Sequence, residues 1–280
     1  MQAPQLVDST DRTRLAVYSA GRADAPLVLL VHGWAQSARC WHHQLDDPGE
    51  LRVAAFDLRG HGGSDAPAHG YDDPRAWADD LHSVLRALGG GPAVLVGWSY
   101  GGLVIADYLG RYGGAATAGV LLTGAITGLG RGVPGGRIGP VMRAALPGAL
   151  SEDPEVAVPA LTAFVHGMTA EPLPDTELRG LLEASTATPA RVRAALFDRT
   201  ADATGCVSAA GVRVLVQHGT ADPVVDRSTA EHHLASIEGA EADWWAGTGH
   251  LPFVEDPPRF DRTLRAFARC CTTDRERMAR

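Results

Sequence analysis

The sequence of 280 residues contains no lysine, because all 25 of its basic residues are arginines. This absence excludes the phosphate-binding loops and kinases that place a lysine on phosphate groups, and the enzymes that form a Schiff base with a substrate or with pyridoxal phosphate. The 33 acidic residues give a formal net charge of −8, and no basic run interrupts them. We therefore expect a small-molecule substrate and neither a nucleic acid nor an anionic membrane as partner, while the composition leaves the oligomeric state open.

Long apolar runs and cysteines are also scarce. No run approaches the roughly 18 residues of a membrane span, and the first eight residues lack the charged and apolar regions of a secretory signal. We therefore expect a soluble, cytoplasmic protein. The four cysteines, Cys40, Cys206, Cys270 and Cys271, lack the spacing of metal ligands and are too few for a disulfide scaffold at this length, so we expect free thiols.

Short apolar segments alternate with helical periodicity along most of the chain, which is typical of an α/β fold with a mainly parallel sheet and helices on both faces. The predicted strands are residues 13–19, 27–31, 52–57, 93–98, 117–123, 212–217 and 241–246. Between residues 126 and 200 the strand pattern stops, and eight of the 18 prolines occur there. Proline disfavours long helices, so we predict several short helices in this stretch. They would form a helical cap on a core domain made of residues 1–125 and 201–280.

A serine flanked by glycines follows one of these strands. The strand at 93–98 leads into Gly97-Trp98-Ser99-Tyr100-Gly101, and an apolar helical run follows at 103–109. This is the G-x-S-x-G pattern in the strand–turn–helix context that it requires. Small residues are needed on both sides because the serine sits on a sharp, strained turn. Ser99 is therefore the predicted nucleophile, at the N-terminus of a helix.

A serine hydroxyl becomes a good nucleophile only when a base takes its proton, and that base needs a carboxylate to orient it. Asp222 follows the strand at 212–217, and His250 follows the strand at 241–246. Both lie beyond the carboxyl end of a strand, where catalytic groups collect in open α/β sheets. We predict that Ser99 attacks an acyl carbon, that His250 takes and returns the proton, and that Asp222 orients the imidazole and stabilises its charged form.

The loop after the strand at 27–31 is the predicted source of an oxyanion hole. A tetrahedral intermediate needs hydrogen-bond donors, and we assign the backbone N–H groups of Trp34 and Tyr100 to this role. We expect His32 to be structural. The predicted side chains of the substrate pocket are Trp34, Trp98, Phe164, Met168 and Leu251. For those in the cap, core packing is the alternative interpretation.

Together these motifs resemble the α/β-hydrolase superfamily, in particular its capped, serine-nucleophile bacterial esterases. The resemblance depends on residues 32–34, 57–65, 97–102, 218–225 and 250–252. It implies an eight-stranded, mostly parallel sheet with a catalytic triad at the carboxyl edge of the strands, under a cap. Some members take the acid from the loop after the strand that we place at 117–123, but that strand ends in Thr123-Gly124-Ala125 without a carboxylate, which favours Asp222. Only one glycine follows His32, so the H-G-G-G loop of some lipases is absent.

The combined features predict a serine hydrolase that cleaves a small to medium carboxylic ester or lactone through an acyl-enzyme, with no cofactor and no metal. Two alternatives use the same triad: perhydrolase or haloperoxidase-like activity, and hydrolysis of a carbon–carbon bond next to a ketone. A third is a binding protein that has lost turnover on a hydrolase scaffold. Haloalkane dehalogenases and epoxide hydrolases resemble this fold too, but they use an aspartate at the elbow, and Ser99 argues against both.

Several other motifs are interpreted as structural. Residues 130–135 fit G-x-G-x-x-G but contain a proline and open no clear helix, so we predict no dinucleotide site. Adjacent histidines occur at 42–43 and at 232–233. Neighbouring residues on a helix point to different faces, and neither pair has a third ligand at suitable spacing, so we interpret both as solvated helix surface. His61 is expected to be a structural histidine.

Overall fold

The computed structural model of the chain describes residues 3–278. Its strands are β1 (Gln5–Asp8), β2 (Arg14–Ala20), β3 (Leu27–Val31), β4 (Arg52–Phe56), β5 (Ala93–Trp98), β6 (Thr117–Thr123), β7 (Gly128–Leu129), β8 (Ala201–Asp202), β9 (Arg213–Gly219) and β10 (Glu241–Trp245). Eight of them form one sheet in the order β1-β2-β4-β3-β5-β6-β9-β10, and β7 and β8 form a separate antiparallel pair. Within the sheet, β2 pairs antiparallel with β1 and β4, and the other neighbours are parallel. The predicted α/β-hydrolase sheet is confirmed.

Each predicted strand is present, with ends within two residues of the predicted ones. The sequence pattern does not reveal β1, β7 and β8, because these strands have only two to four residues and alternation cannot be recognised over so short a run. The central strands β3 and β5 are buried at every residue. Since successive side chains in a strand point to opposite faces, both faces of the sheet are covered.

The helices are α1 (His42–Asp46), α2 (Pro74–Ala87), α3 (Tyr100–Tyr112), α4 (Pro140–Ala149), α5 (Pro154–His166), α6 (Asp175–Ala187), α7 (Ala190–Ala195), α8 (Thr204–Ala209), α9 (Arg227–Ser236), α10 (Pro252–Glu255) and α11 (Pro257–Met278). Helices α2 and α3 pack against each other, and α3 also packs on β3 and β5. The Asp73 side chain accepts a hydrogen bond from the Arg75 N–H and so caps α2, and Pro74 occupies its first turn. No helix within residues 3–278 combines the length and the apolar composition needed to cross a membrane.

Helices α4 to α7 occupy the stretch that we predict as a cap, and β7 and β8 pair at its two ends. The expectation of short helices alone is wrong for α5 and α6, which have 13 residues each. In α5, Pro154 stands at the first helical position, where an N–H would have no intrahelical acceptor, so this proline begins a helix and does not end one. The boundaries of the cap at residues 126 and 200 stay a prediction.

Candidate active site

Ser99 lies in the turn that joins β5 to α3, with φ 55° and ψ −122°. A non-glycine residue rarely adopts a positive φ, so the turn is strained. A Cβ atom on Gly97 would lie 2.8 Å from the Cα of Gly102, and one on Gly101 would collide with the carbonyl oxygen of Val31. The two glycines around Ser99 are therefore required by the close approach of strand, turn and helix.

The Asp222 carboxylate is bonded to His250 at the carboxyl edge of the sheet. Asp222 Oδ2 lies 2.8 Å from His250 Nδ1, and both side chains are 1% exposed. The other carboxylate oxygen accepts hydrogen bonds from the N–H groups of Val224 (2.8 Å) and Val225 (3.0 Å). The carboxylate is thus held in place by its own loop, and its bond to Nδ1 leaves the Nε2 atom of His250 as the one that can take a proton.

Gly124 follows β6 and lies directly against this pair. Its φ is +50°, and a Cβ atom there would lie 3.0 Å from His250 Nδ1 and 3.1 Å from Asp222 Oδ2. The loop after β6 therefore supplies space for the Asp222–His250 pair and no carboxylate, in agreement with the choice of Asp222 made from the sequence.

Trp98 connects the serine turn to the histidine loop. Its indole Nε1 donates a 2.9 Å hydrogen bond to the His250 carbonyl, and its ring centre lies 5.3 Å from that of the imidazole. No hydrogen bond joins the Ser99 hydroxyl to His250 among the described residues. In unliganded active sites this contact is often long and shortens when substrate binds. The side chain of Trp98 is 1% exposed and also packs edge to face on Phe253, 5.1 Å away between ring centres.

The predicted oxyanion loop lies beside the serine. A Cβ atom on Gly33 would lie 2.8 Å from the Cβ of Ser99 and 3.4 Å from its Oγ. Within residues 3–278, neither the Trp34 N–H nor the Tyr100 N–H donates a hydrogen bond. Tyr100 opens α3, and the first N–H groups of a helix have no intrahelical acceptor. Both amides are therefore available to an oxyanion on a Ser99 adduct.

His32 holds this loop in place as a neutral residue. Its Nδ1 lies 2.8 Å from the Gly33 carbonyl oxygen, and its Nε2 accepts a 3.0 Å hydrogen bond from the Leu58 N–H. Complete burial lowers the pKa of His32 to about 4. The ring of His61 lies 5.2 Å away between ring centres, and burial lowers the pKa of His61 to about 3. Both contacts agree with the structural roles predicted for these histidines.

The predicted pocket residues are all buried. Phe164 and Met168 belong to the predicted cap, and Trp34 of the core domain contacts it. The Trp34 indole donates a 2.9 Å hydrogen bond to the Arg193 carbonyl in α7, and its ring lies 5.5 Å from that of Phe164, edge to face. Met168 is 1% exposed, and its carbonyl oxygen accepts a 2.8 Å hydrogen bond from the His250 N–H. Leu251 is fully buried. Which of these side chains line the substrate pocket stays a prediction.

Comparison with known proteins identifies the family. Residues 28–263 match the sequence profile of the alpha/beta hydrolase family. The chain belongs to this family. Among solved structures, the crystal structure of the esterase RhEst1 from Rhodococcus sp. ECU1013 has a TM-score of 0.92 to this hydrolase and 45% sequence identity, over 95% of this chain and 98% of that one.

Two curated relatives match a part of the hydrolase. Epoxide hydrolase 4 of Mus musculus is 42% identical over 94 residues, which are 32% of this chain and 26% of that protein. The bifunctional esterase/perhydrolase DCH of Acinetobacter calcoaceticus is 38% identical over 108 residues, 38% of this chain and 39% of that protein. The matched stretch thus spans well under half of either relative. Family membership makes the chain a hydrolase enzyme, and the similarity to esterases supports ester hydrolysis.

Glu255 is a neighbour of the candidate site that the sequence did not indicate. One carboxylate oxygen accepts hydrogen bonds from the N–H groups of Gly249 (2.9 Å) and Ala170 (3.2 Å), and the other accepts one from Leu251 (3.2 Å). The side chain therefore binds both neighbours of His250 and a segment next to the cap helices. The available signal was an acidic residue in the short helix that follows the histidine.

His218 was also missed as a neighbour of the candidate acid. Its Nε2 atom lies 3.8 Å from Asp222 Oδ2, is buried, and has no hydrogen-bond partner among the described residues. Burial lowers the pKa of His218, so the ring is neutral near pH 7 and places no positive charge beside Asp222.

The interpretation of the two histidine pairs as solvated surface is wrong in part. His233 is 1% exposed, because α9 packs against β9 and α8, and its Nε2 lies 2.8 Å from the Thr127 Oγ1. His42 and His43 are partly exposed, but the fold brings a third ligand-type side chain, Glu177 of α6, to both of them. Glu177 comes from a distant segment, so the spacing of residues around the histidines does not reveal it.

Proposed function

We propose that this hydrolase cleaves a small to medium carboxylic ester or lactone through an acyl-enzyme on Ser99. The observation that carries the proposal is the 2.8 Å bond between Asp222 and His250, at the edge of the sheet where the strained turn presents Ser99. The similarity to the Rhodococcus esterase over nearly the whole chain supports the choice of an ester bond.

In the first half of the proposed reaction, the Ser99 oxygen attacks the acyl carbon while its proton passes to His250 Nε2. The imidazole becomes positively charged, and Asp222, which accepts the Nδ1–H, stabilises that charge. The carbonyl oxygen becomes negative and receives hydrogen bonds from the N–H groups of Trp34 and Tyr100. His250 then gives its proton to the alcohol oxygen as the C–O bond breaks, and the acyl group stays on Ser99.

In the second half, water replaces the alcohol. His250 takes a proton from the water as its oxygen attacks the acyl carbon, and the same two N–H groups stabilise the second oxyanion. Collapse of this intermediate breaks the bond to Ser99, and His250 returns the proton to the serine oxygen. The products are a carboxylic acid and an alcohol, or a single hydroxy acid when the substrate is a lactone. No cofactor takes part in these steps.

Perhydrolysis is a second candidate, favoured by the similarity to the bifunctional esterase/perhydrolase of Acinetobacter calcoaceticus. Hydrogen peroxide would take the place of water in the second half, so that the acyl group leaves as a peroxy acid. The same residues serve both reactions. Formation of peroxy acid from an ester and hydrogen peroxide, measured beside plain hydrolysis, distinguishes the two.

The small-molecule substrate and the cytoplasmic location stay predictions made from the sequence.

The decisive experiment measures turnover of p-nitrophenyl esters from acetyl to dodecanoyl by the wild type, Ser99→Ala and Ser236→Ala. Ser236 is exposed and serves as the matched control. We expect Ser99→Ala to lose at least about a thousandfold in kcat/KM and Ser236→Ala to match the wild type. A fluorophosphonate should add mass at Ser99 in the wild type and in Ser236→Ala, but not in Ser99→Ala. Full activity of Ser99→Ala refutes the proposal, and a wild type that neither reacts with the fluorophosphonate nor turns over any ester supports the binding-protein alternative.

A further inference from the structure

Three potential metal ligands meet between helices α1 and α6. The Nε2 atoms of His42 and His43 lie 3.1 and 3.2 Å from the same carboxylate oxygen, Oε1 of Glu177. The ligand atoms of all three side chains lie within 4.8 Å of one another. Their side chains are 32%, 34% and 20% exposed, respectively, so the cluster is half-buried and open to water on one side.

The spacing of these atoms suits a transition-metal ion. Zinc binds histidine nitrogen and carboxylate oxygen at about 2.0–2.2 Å, and in a tetrahedral site neighbouring ligand atoms therefore lie roughly 3.3 Å apart. The two N–O separations in the cluster are close to this value. The imidazole rings of His42 and His43 lie side by side, with their centres 3.9 Å apart and their planes tilted by 38°, so both Nε2 atoms reach the same carboxylate oxygen.

The surroundings leave room for the ion and for water. A surface cavity of about 580 Å³ is lined by His42 and Glu177 together with Asp46, Cys40 and Arg39. Asp46 is exposed and supplies a second carboxylate, whereas burial raises the pKa of the Cys40 thiol and makes it a poor ligand. The positive charge of Arg39 opposes a cation, and the two carboxylates offset it.

We propose that His42, His43 and Glu177 bind a divalent transition-metal ion of the zinc type, with water completing its coordination. Histidine nitrogen and a carboxylate form the ligand set that zinc accepts, and hard cations such as magnesium prefer oxygen alone. The two histidines belong to α1, and Glu177 belongs to α6 of the predicted cap. The ion would therefore tie α6 to α1. This inference does not depend on the reaction proposed for Ser99.

Zinc titration of the chelator-treated full-length protein tests the site. The variants are His42→Gln, His43→Gln and Glu177→Gln, with His166→Gln as the matched control, since His166 is exposed and outside the cluster. We expect one zinc ion per chain to bind the wild type and the control alike, and each of the three variants to bind at least about tenfold more weakly. Equal zinc affinity in all five proteins, or no saturable binding by the wild type, overturns the proposal and leaves a hydrogen-bonded cluster.

Hydrogen exchange provides a second readout that does not depend on activity. At a zinc concentration near the Kd of the wild type, zinc should slow the exchange of the amides of α6 in the wild type and in His166→Gln, and much less in His43→Gln. The melting temperature of each metal-free variant, compared with that of the wild type, shows whether the variant is folded. If zinc slows the exchange of the α6 amides equally in His43→Gln and in the wild type, the ion binds elsewhere and the proposal is wrong.

Discussion

Replacing Gly124 by alanine places a methyl group against the two side chains proposed to activate Ser99. The new Cβ would lie 3.0 Å from His250 Nδ1 and 3.1 Å from Asp222 Oδ2, whereas ordinary contacts of a Cβ begin at 3.4 Å. The neighbours of Gly124 must therefore retreat by a few tenths of an ångström. Because Asp222 is also held by two backbone N–H groups, we expect His250 to move and the 2.8 Å bond between the two to lengthen.

Two effects contribute to the expected magnitude. Alanine at the observed φ of +50° costs about 1–2 kcal/mol of the free energy of unfolding, because the left-handed conformation crowds the Cβ. A misplacement of about 1 Å in an active site lowers the rate roughly a hundredfold, and removal of the orienting carboxylate lowers it about ten-thousandfold. A shift of a few tenths of an ångström that weakens the bond without breaking it should lower kcat by about ten- to a hundredfold.

Gly211→Ala is the matched control for this substitution. Gly211 has a similar φ of +63°, and a Cβ atom there meets nothing within 4 Å, so it shares the backbone cost without the contact. Urea denaturation should show a loss of stability in both variants, at least as large in Gly124→Ala, and p-nitrophenyl ester kinetics should show a loss of kcat in Gly124→Ala alone. The reasoning is refuted if Gly124→Ala keeps the kcat of the wild type, or if Gly211→Ala loses as much activity.

Three further predictions concern groups outside the triad. Glu255→Gln removes the negative charge of a carboxylate that accepts hydrogen bonds from three backbone N–H groups around His250. In ester assays its kcat/KM should fall about tenfold, because hydrogen bonds to a charged group are the stronger ones. Glu238→Gln on the surface is the control and should lose less. Burial lowers the pKa of His233 from 6.5 to about 3, so only the unfolded chain gains this proton as the pH falls below 6.5, and the wild type loses stability. The variant His233→Gln lacks this pH-dependent loss. Urea denaturation should therefore show the free energy of unfolding of the variant, relative to that of the wild type, rising by about 2 kcal/mol from pH 7 to pH 5. If this difference stays the same at both pH values, the lowered pKa of His233 is contradicted. Arg199→Met leaves the buried Asp107 carboxylate without its partner and should lower the free energy of unfolding by about 3–5 kcal/mol, whereas a loss below about 1 kcal/mol would mean that the pair is dispensable.

The sheet and the candidate triad could be predicted because their signals are local. Strands β3 and β5 are continuous apolar runs that end in turn residues, and each candidate catalytic residue follows the end of a strand. Parallel strands bring their carboxyl ends to one edge, so residues distant in sequence meet without any detailed knowledge of packing. The absence of a carboxylate after β6 favours Asp222 as the acid, and the close approach of Gly124 to Asp222 and His250 shows why a side chain would not fit there.

The rest depends on contacts between segments whose relative placement no local pattern specifies. Glu177 reaches His42 only through the packing of α6 near α1, across 135 positions of the sequence. The role of Glu255 depends on the path of the backbone around it, since its partners are main-chain N–H groups that every residue type except proline offers. The burial of His233 likewise follows from the position of α9 against its neighbours and not from the composition of that helix.

The predicted cap is joined to the candidate site through main-chain atoms. The carbonyl oxygen of Met168 accepts the His250 N–H, and that of Arg193 accepts the indole N–H of Trp34. Every residue has a main-chain carbonyl, whatever its side chain. Most of the sequence between Met168 and Arg193 can therefore diverge while His250 and the predicted oxyanion loop keep their positions. A chimera that exchanges this segment for that of a relative should therefore change substrate preference without loss of turnover, as long as the two carbonyl groups keep their places.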